Sequence, residues 1–494
     1  MKQRLIVKIF RRALFSLAML AILAGLIVVE ENWRGKQAWK QCKSDLEAQG
    51  EHLDLAWFIP PPVPDDRNFA MTPLLKPLLD YTLDPLTWKA NFKEPNPPVK
   101  KISVYMDDAY AGRPSRSTSW QTGDYRDLGI WQNYYRSTLP DMAHHDLPAE
   151  DVLAALGRFD PMLANLREAA KNRPLCRFPV KYEDGYFAAS THCDVVLQIA
   201  RVLALRAVAE LNLNRPDDAF LDIQFGFRLV DSIRDEPGLV SGVVRISMVS
   251  LLMQPVWEGI ASHRWNDNQL DGLGIWFRRM DFLSVFVRTV RFERAETIRL
   301  LTQLSEHRDS MRRFLLAEHL GDHPFMSASF APGWFYQNMA LESRFFQEMI
   351  SATDLKNRFV DVRRLDRNVE DVNRLEKSPC NLFARFALPD FSKTAQQFLE
   401  AQIYVDEAAT ACAIEQYRLV HYALPVTLND LHIAAVPHDV VNGKPLHYRV
   451  TDAGHYVLYS VGWNGIDDGG KASKEKNGTV DFTQGDIVWS PGPL

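Results

Sequence analysis

Residues 13–29, ALFSLAMLAILAGLIVV, carry no charge, and this run limits what the chain can become more than any other stretch. As a helix it spans about 26 Å, just short of a hydrocarbon core of about 30 Å. Arg11 and Arg12 flank it and can snorkel to cover the shortfall. Trp33 and Trp39 follow its other end, where indole rings favour the membrane interface. Five basic side chains (Lys2, Arg4, Lys8, Arg11, Arg12) precede the run, and no acid occurs before Glu30. Such asymmetry keeps the N-terminus in the cytoplasm and places everything after Glu30 outside it. The competing reading is a cleaved signal peptide, which needs small residues at positions −3 and −1 of the cut. A cut after Ala24 puts Ile22 at −3, and a cut after Ala21 puts Met19 there, so an uncleaved anchor is expected. The chain then reads as a single-pass inner-membrane protein with its body in the periplasm.

A chain of 494 residues exceeds one ordinary core. Five segments are expected: a basic tail (1–12), an anchor (13–29), a stalk with a Pro-rich linker (30–66), a mainly helical domain (67–392) and an α+β module (393–494). Pro60, Pro61, Pro62 and Pro64 favour an extended, stiff spacer that separates stalk from body. The fold class is mainly α, with helices and hairpins making up the body. Residues 193–237 read as two helices broken at Asn214 and Pro216, a hairpin resembling a single tetratricopeptide unit. No second copy follows at that motif's period, so a solenoid is not expected. Between 355 and 375, Leu355, Phe359, Val362, Leu365, Val369, Val372 and Leu375 fall on one stripe of a helix.

Charge argues against nucleic acid. Setting aside the five N-terminal cations leaves 52 basic against 62 acidic side chains, and no basic cluster is interleaved with aromatic residues. No phosphate-binding loop, dinucleotide fingerprint, HExxH or GxSxG appears, so no nucleotide partner is expected. His319 and His323 lie four apart with Glu318 and Asp322 beside them, but Gly321 and Pro324 mark a helix end that would not hold a zinc geometry. His144, His145 and Asp146 are adjacent residues, and such side chains diverge. Lys181, Tyr182, Glu183 and Asp184 could serve acid–base chemistry or form a solvated turn ending at Gly185. Among five cysteines, Cys176 and Cys193 bracket a loop short enough to bridge, or are two small buried apolar residues. In residues 331–338, APGWFYQN, a Pro-Gly turn leads into aromatic side chains that either plug the core or form a contact surface.

The last hundred residues are the most patterned. A helix is expected from about Lys393 to Val420, ended by Pro425. Two β-rich segments, LHYRV and HYVLYSV, flank TDAG and read as a hairpin. Ala413, Tyr417, Pro425, Leu428, Leu431, Pro437, Asp439, Gly443, Pro445, Tyr448, Ser460, Gly462, Gly465, Gly469 and Gly470 carry a resemblance to the periplasmic domain of type II secretion major pseudopilins. The resemblance covers only 395–475. It implies a pseudopilin-like head without the polymerising N-terminal helix, because the membrane run here lies far upstream. It also implies calcium in the loop SVGWNGIDDGGK, where Asn464, Asp467 and Asp468 are the candidate ligands. Ser460 and Asp481 could add oxygens, and Asn464 stands where the family has an aspartate. The alternative is a plain Asp-Gly turn. The whole layout also resembles large membrane-anchored bacterial proteins, a likeness that implies no activity.

The expected role is therefore structural or protein-binding in the cell envelope, with a link to secretion or pilus-like machinery. The rival is an exported hydrolase or metal-dependent enzyme with its site in the helical domain. Converging carboxylates or histidines in a groove would favour the enzyme. An apolar patch near Trp334 or on the 355–375 helix would favour the scaffold.

Overall fold

The computed structural model describes residues 2–84, 90–94, 97–111, 119–307, 311, 314, 330–431, 436–451, 454–476 and 480–492. Helices dominate them. The first, α1 (Lys2–Ala48), runs without a break from the apolar stretch into the stalk. From Ile9 its first part is long and apolar enough to cross a membrane, and among the described residues none of that stretch is buried. Its second part packs along α11 (Pro332–Ser351). Two glycines allow that approach: a Cβ on Gly35 would lie 2.1 Å from the Gly333 carbonyl oxygen. Gly333 N donates to Asn32 Oδ1 (2.7 Å), and Gln337 Nε2 donates to Glu31 Oε2 (2.7 Å). The Asn32 amide oxygen thus satisfies one of the free N–H groups at the start of α11.

Just past the end of α1, Glu51 is buried and clamped by Arg291 and Arg294 of α10 (Phe282–Glu306). Burial alone would raise its pKa, but the two guanidinium groups hold it below the ordinary carboxylate range. The proline segment does not keep stalk and body apart. Leu55, Phe58 and Ile59 pack on Tyr182, Phe292 and Ala295.

The body's middle is a set of packed helices: α6 (Thr191–Asn212), α7 (Pro216–Ser232), α8 (Leu239–Ala261) and α9 (Asp267–Arg278) with α10. The α6–α7 joint falls where the sequence places it, with Asn214 at φ 58° and Pro216 at the first helical position of α7. Helix α8 is also apolar enough to pass for a membrane span, but more than half of that stretch is buried in the body, against α6, α7 and α13 (Leu382–His421). Smaller elements cover this layer: the hairpin β1–β2 (Tyr81–Leu83 and Ala90–Phe92) and helices α2 (Lys100–Ala111), α3 (Leu128–Thr138), α4 (Pro148–Leu156) and α5 (Asp160–Asn172).

The helix expected over 355–375 is shorter. Asp354 accepts from Lys356 N and Asn357 N, Arg358 takes φ 50°, and two-residue strands β3 (Thr353–Asp354) and β4 (Phe359–Val360) pair. Asp361 then caps α12 (Val362–Arg374) by accepting from Arg364 N (3.0 Å). Only Val362, Leu365 and Val372 of the expected stripe are buried, and Leu355 is exposed. The local turn chemistry of Asp354 outcompetes the helical periodicity of Leu355 and Phe359.

Helix α13 starts at Leu382 rather than Lys393, so it crosses the expected boundary between body and C-terminal module. Antiparallel strands β5 (His447–Val450), β6 (Tyr456–Ser460) and β9 (Ile487–Trp489) form a three-stranded sheet in the order β5-β6-β9, with β7 (Ala472–Lys474) and β8 (Val480–Gly485) paired beside it. One hydrophobic core runs from Phe69 to Trp489 and includes both parts. Trp120 packs edge-to-face with Tyr404 and tilted against Trp489, and Trp257 Nε1 donates to the Ser490 carbonyl (2.8 Å). The α+β module is therefore seated in the helical body.

Candidate functional site

The glycine-rich loop at 460–471 follows β6. Ser460 is buried at the strand end and accepts from Gly462 N through Oγ. Asn464 Oδ1 accepts from Ile466 N (2.9 Å), and its Nδ2 donates to Asp468 Oδ2 (3.2 Å). Asp467 turns elsewhere: its Oδ1 accepts from Gly469 N (3.0 Å) and from Tyr459 Oη (3.1 Å). The Gly469 N–H contributes most to holding Asp467 below the usual carboxylate range. The backbone N–H groups of Asp468, Gly470 and Lys471 all point at Asp486, a buried carboxylate just before β9. Burial pushes Asp486 up, against the pull of those bonds. Asp481 is occupied by Thr483. Asn464 and Asp468 thus bond each other, while Asp467 turns to Gly469 and Tyr459. Calcium wants six to eight converging oxygens, and this arrangement does not present them.

Other sequence candidates disperse. His145 bonds the buried Asp151 together with Arg136 and Gln132, an ion-pair cluster within the α3–α4 corner. Lys181 Nζ donates to the Tyr81 carbonyl (2.8 Å). Cys176 and Cys193 are both free thiols. Phe335 plugs a small cluster with Phe383 and Met339, and Trp334 lies half-buried against Phe330. Glu318, His319, Asp322 and His323 lie outside the described residues.

Among the described residues, one group brings metal-ligating atoms within 4.8 Å of one another: His192, Cys193 and Glu236. His192 and Cys193 open α6, and Glu236 sits in the turn before α8. His192 Nε2–H donates to Glu236 Oε1 (2.7 Å), and Cys193 Sγ lies 3.6 Å from the same nitrogen. Ser241 Oγ–H donates to the other Glu236 oxygen and stands 3.7 Å from Sγ. Phe178 stacks on the imidazole, centroids 3.9 Å apart. Burial opposes charge on His192, but the adjoining Glu236 and Cys193 raise it to about 10.

Ser241 also lines a cavity of about 330 Å³, with Tyr182, Ser190, Glu293 and Glu296 around it. Burial raises Glu293 to about 7 and Glu296 to about 8. A larger cleft, about 750 Å³, lies where α5, α6 and α7 meet. Arg167, Lys171, Arg206, Arg215 and Arg228 face Asp160, Glu210, Asp218 and Asp222 across it. Arg167 and Arg206 both bind Asp222, and Arg206 reaches Asp160 (2.6 Å). The His192 cluster joins residues 44 apart in the chain, and the cleft joins α5 to the α6–α7 hairpin, so neither is legible as a local motif. In the sequence Cys193 stands out only as half of a possible bridge, and Tyr182 only within a possible acid–base turn.

No family model, no curated protein and no solved structure matches this chain.

Proposed function

We propose that the protein is a single-span component of the cell envelope that presents its body to a protein partner at a fixed distance from the inner membrane, with its N-terminus in the cytoplasm. The observation that carries this reading is the continuity of α1. An exposed apolar stretch passes within one unbroken helix into a stalk packed on α11, with Glu51 clamped just beyond the helix end. A flexible tether would suit an enzyme that must find its substrate. A docked stalk suits a part that must hold an orientation.

The large charged cleft is the surface best suited to a partner. Its walls carry both signs, which favours a polypeptide segment with mixed charge over a polyanion. Leu221 lines it and is 57% exposed, an apolar contact amid the charges. A reporter active only outside the cytoplasm, fused after Leu494, tests the topology, and activity is expected. A photo-crosslinker at Leu221 in native membranes tests the cleft. It should give a discrete adduct that Arg215→Glu with Arg228→Glu abolishes. A cytoplasmic C-terminus would overturn the placement, and an adduct indifferent to those charges would overturn the cleft. The enzyme reading rests on the His192 cluster and its cavity.

A further inference from the structure

We propose that His192, Cys193 and Glu236 bind a divalent transition-metal ion of the zinc class, with the fourth position facing Ser241 and the cavity behind it. This goes beyond the role proposed above and does not depend on it.

The first argument is geometric. A nucleophile relay needs its thiol and its carboxylate on opposite nitrogens of the imidazole. Here Glu236 Oε1 and Cys193 Sγ both address Nε2, so the three donors surround a point instead of forming a line. Tetrahedral bonds of about 2.05 Å to nitrogen and 2.3 Å to sulfur separate N and S by about 3.6 Å. The observed separation is 3.6 Å. The same geometry asks for about 3.3 Å between nitrogen and oxygen. The observed 2.7 Å is a hydrogen bond, so Glu236 must retreat by roughly 0.6 Å when the ion takes the place of the Nε2 proton.

The second argument is chemical. Nitrogen, sulfur and oxygen together exclude calcium and magnesium, which want oxygen, and suit a borderline-soft ion. Zinc with one thiolate, one carboxylate and a neutral imidazole is formally neutral, which a buried site requires. Two helix starts converge here, α6 at Thr191 and α8 at Leu239, and their dipoles favour the anionic ligands.

A buried histidine–glutamate pair held by a serine is the competing account. It explains Glu236 and Ser241 but gives Cys193 no task. The third argument is access. His192, Cys193 and Glu236 are 1%, 2% and 6% exposed, so an ion needs a way in. Ser241 touches the cluster on one side and lines the 330 Å³ cavity on the other. That cavity can supply both the path and a water for the remaining position.

The test uses the full-length, untagged protein in detergent, stripped with chelator and dialysed against zinc or cobalt. About one equivalent should bind. The cobalt form should show a thiolate-to-metal charge-transfer band and the strong visible absorption of a tetrahedral ion. Cys193→Ser should remove the charge-transfer band, and His192→Gln should weaken binding by about 100-fold or more, beyond the 10–100-fold typical of losing an outer-shell partner. Cys176→Ser should change neither. If a variant fails to fold, the wild-type cobalt spectrum decides alone. Less than a tenth of an equivalent bound by folded protein, or a spectrum without sulfur ligation, overturns the proposal. So does a sulfur band that survives in folded Cys193→Ser.

Discussion

Asp486 and Glu236 are both buried carboxylates at the start of a structural element, yet they are supplied in opposite ways. Asp486 receives three backbone N–H groups, from Asp468, Gly470 and Lys471. Among the described residues Glu236 receives two side chains, an imidazole and a hydroxyl, with a thiol beside them. Backbone donors are fixed by the chain path and cannot be exchanged for an ion. Side-chain donors can turn or retreat, and two of those around Glu236 are themselves metal ligands. The first arrangement closes a loop, and the second leaves a site.

The sharpest way to break this contrast is to remove Asp486. Asp486→Ala would leave three part-buried N–H groups without this acceptor, each worth about 1–3 kcal/mol to the extent that water does not replace it. We expect a loss of about 4 kcal/mol, read as a drop in urea midpoint at unchanged slope. Asp486→Asn should recover much of the loss, since its amide oxygen can take the place of Oδ2, which accepts from all three N–H groups. A loss below about 1 kcal/mol would show that the cradle is not what holds the loop.

Glu342 sharpens the comparison from the other side. It is buried on α11, and its Oε1 has no hydrogen-bond partner among the described residues. With neither kind of donor resolved at that oxygen, burial raises its pKa from 4.5 to about 8. The sign follows from the direction. Below the unfolded value both states are protonated, and the full stability is present. As pH rises toward the folded value the unfolded chain ionises first, so stability falls. Buried Glu210 and Glu296, also raised to about 8, act in the same sense. The melting temperature should therefore decline steadily from pH 5 to pH 8. Glu342→Gln should flatten that decline by about 3 kcal/mol. An unchanged slope in the variant would mean that Glu342 finds a partner or water.

How far these features could be read from sequence follows their span along the chain. The apolar run, the α6–α7 break at Asn214 and Pro216, and the β5–β6 hairpin are each specified within a few residues, and each is where the pattern puts it. The stripe at 355–375 misled because Asp354 and Asp361 set a turn and a cap inside it. Glu236 and His192 lie 44 residues apart, and Glu236 reads as one more acid in a turn before a proline. Asp486 is hidden for a similar reason: Asp481 is the nearer acid along the chain, and the carboxylate that closes the loop lies beyond it, across β8.

The smallest effect expected is that of calcium. The resemblance to pseudopilins implies an ion at Asn464, Asp467 and Asp468, and a bound ion would stabilise by about 2.7 kcal/mol at a hundredfold excess over its dissociation constant. For a cooperative unit of about 100 residues that is a rise of order 10 °C. Here, however, the loop is already closed around Asp486, and Asp467 and Asp468 are bonded to Tyr459 and Asn464. An ion would have to break those bonds and gather oxygens that now face different ways. The module also shares its core with the helical body, so any local gain is diluted over a larger cooperative unit. We therefore expect the full-length protein to melt within about 2 °C in millimolar calcium and in chelator. Asp467→Ala with Asp468→Ala should leave that difference unchanged. A larger rise that the double variant abolishes would show that the loop rearranges to ligate calcium, and that the N–H cradle of Asp486 is its resting form.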